Sequence, residues 1–202
     1  MVIVEGDRRA AVDYGQRSIA ALFTEVIRYC NRPFSSIEEM DQTLIDNWNT
    51  MVDPKDTIYH LGDFCFGGPE EANHYITQLN GKIHFLWLPW HHDRRWHPDT
   101  MPISPPYASK SGYQVTFDPP MHILKLPEYG DDRHAKTLAL SHYAIARWDC
   151  MKYGAWHLYG HSHGNFENGG LSFDVGVDCN DFRPISLDEV AERMEERGRS
   201  GV

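Results

Sequence analysis

Four polar clusters each stand directly behind an apolar, β-rich run of the chain: Asp63 after residues 57–61, His91-His92-Asp93 after 83–88, Ser141-His142 after 137–140, and Gly160-His161-Ser162-His163 after 155–159. In α/β sheets, ligands gather at strand carboxyl ends, where loops from distant parts of a chain converge. Helical stripes alternate with these runs. Ile19, Leu22, Phe23, Val26, Ile27 and Cys30 keep a three-four spacing that Pro33 ends, and Ile37, Met40, Leu44, Trp48 and Met51 form a second stripe. Ser36 and Glu39 give that second helix a capping-box start. A third helix is predicted over 69–79, stopped by Asn80-Gly81, and a last one over 186–197 with Asp188 and Glu189 in its first turn. Further strands are predicted at 2–4, 121–126 and 171–175. Six prolines between Pro98 and Pro120 predict an irregular excursion. The pattern is that of an α/β fold, read as a single domain over 1–202.

At 202 residues with a formal charge of −10, the chain is long enough for one core and too acidic to favour a nucleic-acid polymer or an anionic membrane. A small phosphate ester remains compatible, because a bound cation inverts the local field. The opening Met1-Val2-Ile3-Val4-Glu5-Gly6-Asp7 turns acidic too early for a signal peptide, and no apolar run is long enough to span a bilayer. A soluble, cytoplasmic protein is expected. The four cysteines form no C-x-x-C pair and read as small buried hydrophobes. Twelve histidines, ten of them between His84 and His163, point instead to metal or acid–base chemistry.

Each cluster has its own chemistry. Alternate residues of an extended segment share a face, so His161 and His163 can look into one cavity. A carboxylate such as Asp63 can bridge two cations. His91-His92-Asp93 offers an imidazole ligand, a proton donor and a carboxylate to orient the donor. Each cluster taken alone also fits an ordinary polar turn, and His142 alone also fits a hydrogen-bonded structural histidine. His60, His84 and His157, inside strand patterns, read as structural. Arg94 and Arg95 fit a phosphate contact or a solvated surface pair.

Several motifs in sequence carry a resemblance. Arg32-Pro33-Phe34, Glu39-Met40-Asp41, Asn47-Trp48-Asn49, residues 56–64 ending Leu61-Gly62-Asp63-Phe64, and Gly160-His161-Ser162-His163-Gly164 together resemble calcineurin-like metallophosphoesterases of the compact bacterial and phage type. Residues 79–83, Ser141-His142-Tyr143 and 173–178 fit the same pattern, and the similarity runs over roughly 26–190. The resemblance implies a four-layer α/β/β/α sandwich with two divalent ions (Mn, Fe or Zn) bridged by Asp63. It assigns His91, His142 and His161 to one ion and His163 to the other. His92 contacts the phosphate or leaving group, with Asp93 behind it.

The chain departs from that pattern twice. Ser18 and Ala20 stand where the resemblance places the Asp-x-His ligands of the first ion, with Asp7 as an alternative carboxylate, and Trp90-His91-His92-Asp93 replaces Gly-Asn-His-Asp. The expected function is hydrolysis of a phosphate mono- or diester by hydroxide generated on the metal. The alternatives are a catalytically impaired binding or regulatory protein of the same fold, and a mononuclear zinc hydrolase.

Overall fold

The structure is a computed structural model that describes residues 2–4, 27–65, 67–89, 92–97, 99, 106–131 and 135–200, with the backbone alone at 2–4, His92 and Ser200. The expected Ile19–Cys30 helix lies largely outside these residues; its last turn, 27–29, is helical. Strand β2 (Thr57–His60) sits at the centre of a five-stranded sheet. Its neighbours are β1 (Val2–Val4) and β3 (Lys82–Leu86), both parallel to it, with Val2 opposite Ile58 and Ile58 opposite Ile83. A second sheet has four strands, β5 (Met121–Leu126), β6 (Lys136–Ser141), β7 (Trp156–Tyr159) and β8 (Ser172–Asp174), in sequence order. The pair β5–β6 is antiparallel, and β6, β7 and β8 run parallel.

Strand periodicity divides the core. Ile58, Ile83 and Phe85 join a cluster with Met40, Leu44 and Trp48 of helix α1 (Ile37–Met51) and with Ala72 and Ile76 of helix α2 (Pro69–Ile76). Leu61 and Leu86 join a second cluster that contains Leu138, Leu140, Trp156 and Leu158 of the other sheet and Leu187, Val190 and Met194 of helix α3 (Leu187–Ser200). The intervening residues Ala139 and Ala155 pack with Trp148 in a third. Successive strand residues point to opposite faces, so strands buried on both sides read as nearly continuous apolar runs.

Local chemistry explains the helix ends. The Ser36 hydroxyl accepts from Glu39 N–H at 3.2 Å, and the Glu39 carboxylate reaches back chiefly to Ser35 N–H at 2.8 Å, with a lesser backbone bond from Ser36. A complete capping box forms at the other end of the chain, where Ser186 and Glu189 exchange both bonds at 3.2 and 3.0 Å. Helix α2 stops at Ile76, three residues before its expected end, because Gln78 and Leu79 donate to the carbonyls three residues back and tighten the last turn. Asn47, Trp48 and Asn49 fasten α1 to the rest of the chain: their side-chain N–H groups donate to the carbonyls of Phe182, Asn80 and Gln78.

The proline-rich stretch holds a strand that its composition conceals. β4 (Thr116–Asp118) adds to the edge of the first sheet parallel to β3, and β9 (Ile185–Ser186) closes the other edge antiparallel to β1. No helix among the described residues is long and apolar enough to cross a membrane.

His157 is structural, as expected. It is fully buried on β7, bonded to the hydroxyls of Ser141 at 2.8 Å and Ser172 at 2.7 Å, with its ring stacked against Trp148. Burial pushes its pKa down to about 4. The unfolded chain, near 6.5, takes up the proton first, so the stability present above pH 6.5 drains away as pH falls towards 4. Denaturant unfolding at pH 7 and pH 4.5 is expected to show a loss larger by about 2 kcal/mol in the wild type than in His157→Gln; equal losses would contradict this account.

Candidate metal centre

The loop after β2 carries Asp63 in a left-handed backbone conformation, φ 53°. His161 and His163, in the loop after β7, are left-handed too, at 63° and 47°. Non-glycine residues avoid this region, so surrounding contacts must hold these three in it. The contacts that impose it are on view. The buried Asp93 carboxylate accepts from Phe64 N–H at 3.0 Å, Cys65 N–H at 3.0 Å and the Trp96 indole at 3.0 Å, gripping the chain just beyond Asp63. Burial, together with the nearby Asp63 charge, raises Asp93 to about 6 against the lowering effect of those bonds. Asp174, at the end of β8, plays the same part for the second loop: it accepts from the Ser162 hydroxyl and from Gly164 N–H.

These two loops and the end of β6 bring Asp63, His142 and His161 together. His142 Nε2 lies 3.1 Å from His161 Nδ1, and each nitrogen lies 3.7 Å from Asp63 Oδ2. The point equidistant from all three, in their plane, is about 2.0 Å from each, the length of a zinc–nitrogen or zinc–oxygen bond. His142 is fully buried, and its other nitrogen, Nδ1, faces the Leu61 carbonyl at 3.2 Å. A proton on Nδ1 satisfies that carbonyl and leaves the Nε2 lone pair for an ion. Burial lowers the His142 pKa, outweighing the nearby carboxylates, so the ring is held in the neutral form that ligates. The ring of Tyr143 packs on both imidazoles. Two nitrogens and one oxygen make a set suited to zinc-like ions, and to manganese or iron with further oxygen ligands.

His163, on the same loop as His161, is held through one ring nitrogen. Its Nδ1 is 2.7 Å from Asp178 Oδ2, and Cys30 stands beside it. The bonds to Asp178 and Cys30 hold the imidazolium up to about 10. Burial would raise Asp178, but the bonds from His163 and from Arg32, whose Nε and Nη2 each lie 2.7 Å from the carboxylate, bring it down to about 2. Among the described residues there are thus two groups of ligand-bearing side chains, Asp63–His142–His161 and Cys30–His163–Asp178. His91, Ser18, Ala20 and Asp7 lie outside the described residues, as does the side chain of His92. The described bonds to the Asp93 carboxylate come from the Asp63 loop and from Trp96. Cys30, Arg32, Asp174 and Asp178 carry no individual role in the sequence reading, and the Asp174 position at a strand end is the one signal that would have singled one of them out.

Gly62 lets the ring of His142 approach. With φ at +125°, a Cβ there would stand 2.7 Å from His142 Nδ1. Gly62→Ala is expected to weaken zinc binding at least 10-fold by calorimetric titration. Gly112→Ala, with φ +82° and open space around its Cβ, should leave binding unchanged. Equal affinities in the two variants would show that this packing does not position the ligand.

No family model matches the chain. It is similar to the uncharacterized protein MJ1445 of Methanocaldococcus jannaschii, at 28% identity over 179 residues covering 84% of each chain. Its fold is similar to the crystal structure of a protein of unknown function, AQ665, from Aquifex aeolicus, with a TM-score of 0.60 and 18% identity over 95% of this chain and 98% of that one. The structural likeness supports the mixed α/β fold, and neither likeness assigns an activity.

Proposed function

We propose that the chain is a metal-dependent phosphoesterase of the calcineurin-like type, acting on a small phosphate mono- or diester. Its two sheets and helices would form one four-layer α/β/β/α domain. The observation that carries this reading is the triangle of Asp63 Oδ2, His142 Nε2 and His161 Nδ1 at the carboxyl ends of β2, β6 and β7. A bound Mn, Fe or Zn ion supplies a Lewis acid that polarises the phosphate and acidifies water.

The protein's part is positioning. Asp93 and Asp174 hold the two ligand loops through their backbone N–H groups, and the Leu61 carbonyl orients His142. Asp63 contributes a negative charge that favours a cation beside the two imidazoles. His92, which directly precedes Asp93, is the proton donor to the phosphate or leaving group that the resemblance suggests, and His91 before it a further ligand. A second reading is a mononuclear zinc hydrolase with three histidine ligands and an open water position; the close approach of His142 Nε2 and His161 Nδ1, 3.1 Å apart, supports two of those ligands.

Turnover of a generic aryl phosphodiester by Mn-supplemented protein tests the proposal. Asp63→Asn is expected to lower kcat/KM at least 100-fold while leaving the circular dichroism spectrum intact. Absence of turnover in the wild type, or identical turnover in the variant, would refute it.

A further inference from the structure

Three side chains lead in series from the first core cluster to the loop that carries His161. The Arg32 side chain is fully buried, and its Nε and Nη2 lie 2.7 Å from Asp178 Oδ1 and Oδ2, a fork that takes both carboxylate oxygens. Arg32 is fixed on its other side as well: Nη1 lies 3.3 Å from the Met40 sulfur, and its backbone N–H donates to the Ile27 carbonyl. The fork alone gives the buried guanidinium its counter-charge. The further bond, from His163 Nδ1 to Asp178 Oδ2 at 2.7 Å, joins that pair to the ligand loop. With a pKa of about 2, Asp178 is ionised at neutral pH and can only accept. The proton in this bond therefore sits on Nδ1, and Nε2 is the nitrogen through which the ring can take an ion. His163 stands two residues beyond His161, and after burial and the carboxylates its charge is one of the influences felt by His142.

We infer that Asp178 and Arg32 are positioning residues for His163 in the Asp63 centre: Asp178 fixes the ring with its proton on Nδ1, and Arg32 fixes Asp178. The inference rests on the metal centre proposed above, in which the resemblance makes His163 a ligand. A ligating histidine characteristically donates its other ring N–H to a carboxylate or carbonyl, which sets tautomer and ring direction and makes the ligating nitrogen more basic. The Leu61 carbonyl has that place behind His142, and Asp178 has it behind His163. Because the fork occupies both of its oxygens, Asp178 is kept from turning to ligate an ion itself and acts only through the ring. Arginine suits this part: its planar fork meets two oxygens in fixed geometry, whereas a lysine presents a single point of charge.

Histidine-selective ¹⁵N NMR and calorimetric titration of the full chain with Zn²⁺ read this arrangement without recourse to activity. In the zinc-loaded wild type, His163 is expected to show a protonated Nδ1 and a metal-bound Nε2. Asp178→Asn, whose amide can also turn an N–H toward the ring, should lose the single Nδ1–H form and weaken zinc binding about 10–100-fold. Arg32→Lys, which keeps the charge and loses the fork, should weaken it by a smaller factor, and it serves as the test if the Asp178 variant folds poorly. Glu189→Gln, which breaks the comparable fork of Arg183 on Glu189, and Cys30→Ala, which removes the ring's other neighbour, should leave tautomer and affinity unchanged. A His163 ring that takes no zinc, or a tautomer and affinity indifferent to both Asp178→Asn and Arg32→Lys, would overturn the inference. So would an equal loss in Glu189→Gln or in Cys30→Ala. Zinc binding that depends on Asp178, in a protein with no phosphodiester turnover, would uphold the inference and refute the function proposed above; turnover with zinc binding indifferent to Asp178 would do the reverse.

Discussion

The buried carboxylate of Asp93 is the hinge of the candidate centre. By accepting from Phe64 N–H, Cys65 N–H and the Trp96 indole, it gathers the loop after β2 against the first core cluster and holds Asp63 in a backbone conformation it would otherwise avoid. Hydrogen bonds to a charged acceptor contribute roughly 1.5–3 kcal/mol each, enough to offset the 1–3 kcal/mol that a left-handed residue costs. Asp174 repeats the device on the loop that carries His161 and His163. Two carboxylates, Asp93 in the 3₁₀ turn His92–Arg95 and Asp174 at the end of β8, thus act on backbone, and this frees Asp63 to act as a ligand.

Around that frame, the fold separates two kinds of histidine. His157 is enclosed by hydroxyls and aromatic rings, so its chemistry is spent on packing the second sheet. His142 is equally buried, yet only Nδ1 faces a protein carbonyl while Nε2 is aimed at His161 and Asp63. The difference lies one residue beyond the strand: His157 points into the layer, and His142 follows the last residue of β6, where the chain leaves the sheet.

Much of this is legible in the sequence. The α1 stripe, the runs of β2, β6 and β7, and the placement of Asp63, His142 and His161 behind them follow from periodicity and from the rule that sites gather at strand carboxyl ends. Strand β4 is not legible, since three residues between proline-rich segments become a strand only because β3 offers an open edge. The partners of His163 are hidden for another reason. Asp178 follows it by 15 residues and Cys30 precedes it by more than a hundred, so nothing local joins them; Arg32, 146 residues from Asp178, completes the arrangement. Such pairings are set by how strands and loops stack in three dimensions, and a pattern read along one chain contains no term for them. Reading Cys30 as merely a small hydrophobe captures its packing and misses its neighbours.

Anomalous diffraction at the zinc edge, from crystals grown with zinc, locates a bound ion without reference to activity. A peak is expected at bonding distance, about 2.0–2.2 Å, from Asp63 Oδ2, His142 Nε2 and His161 Nδ1 together. An anomalous map with no density between those three atoms, at a zinc concentration that saturates the protein, would contradict it.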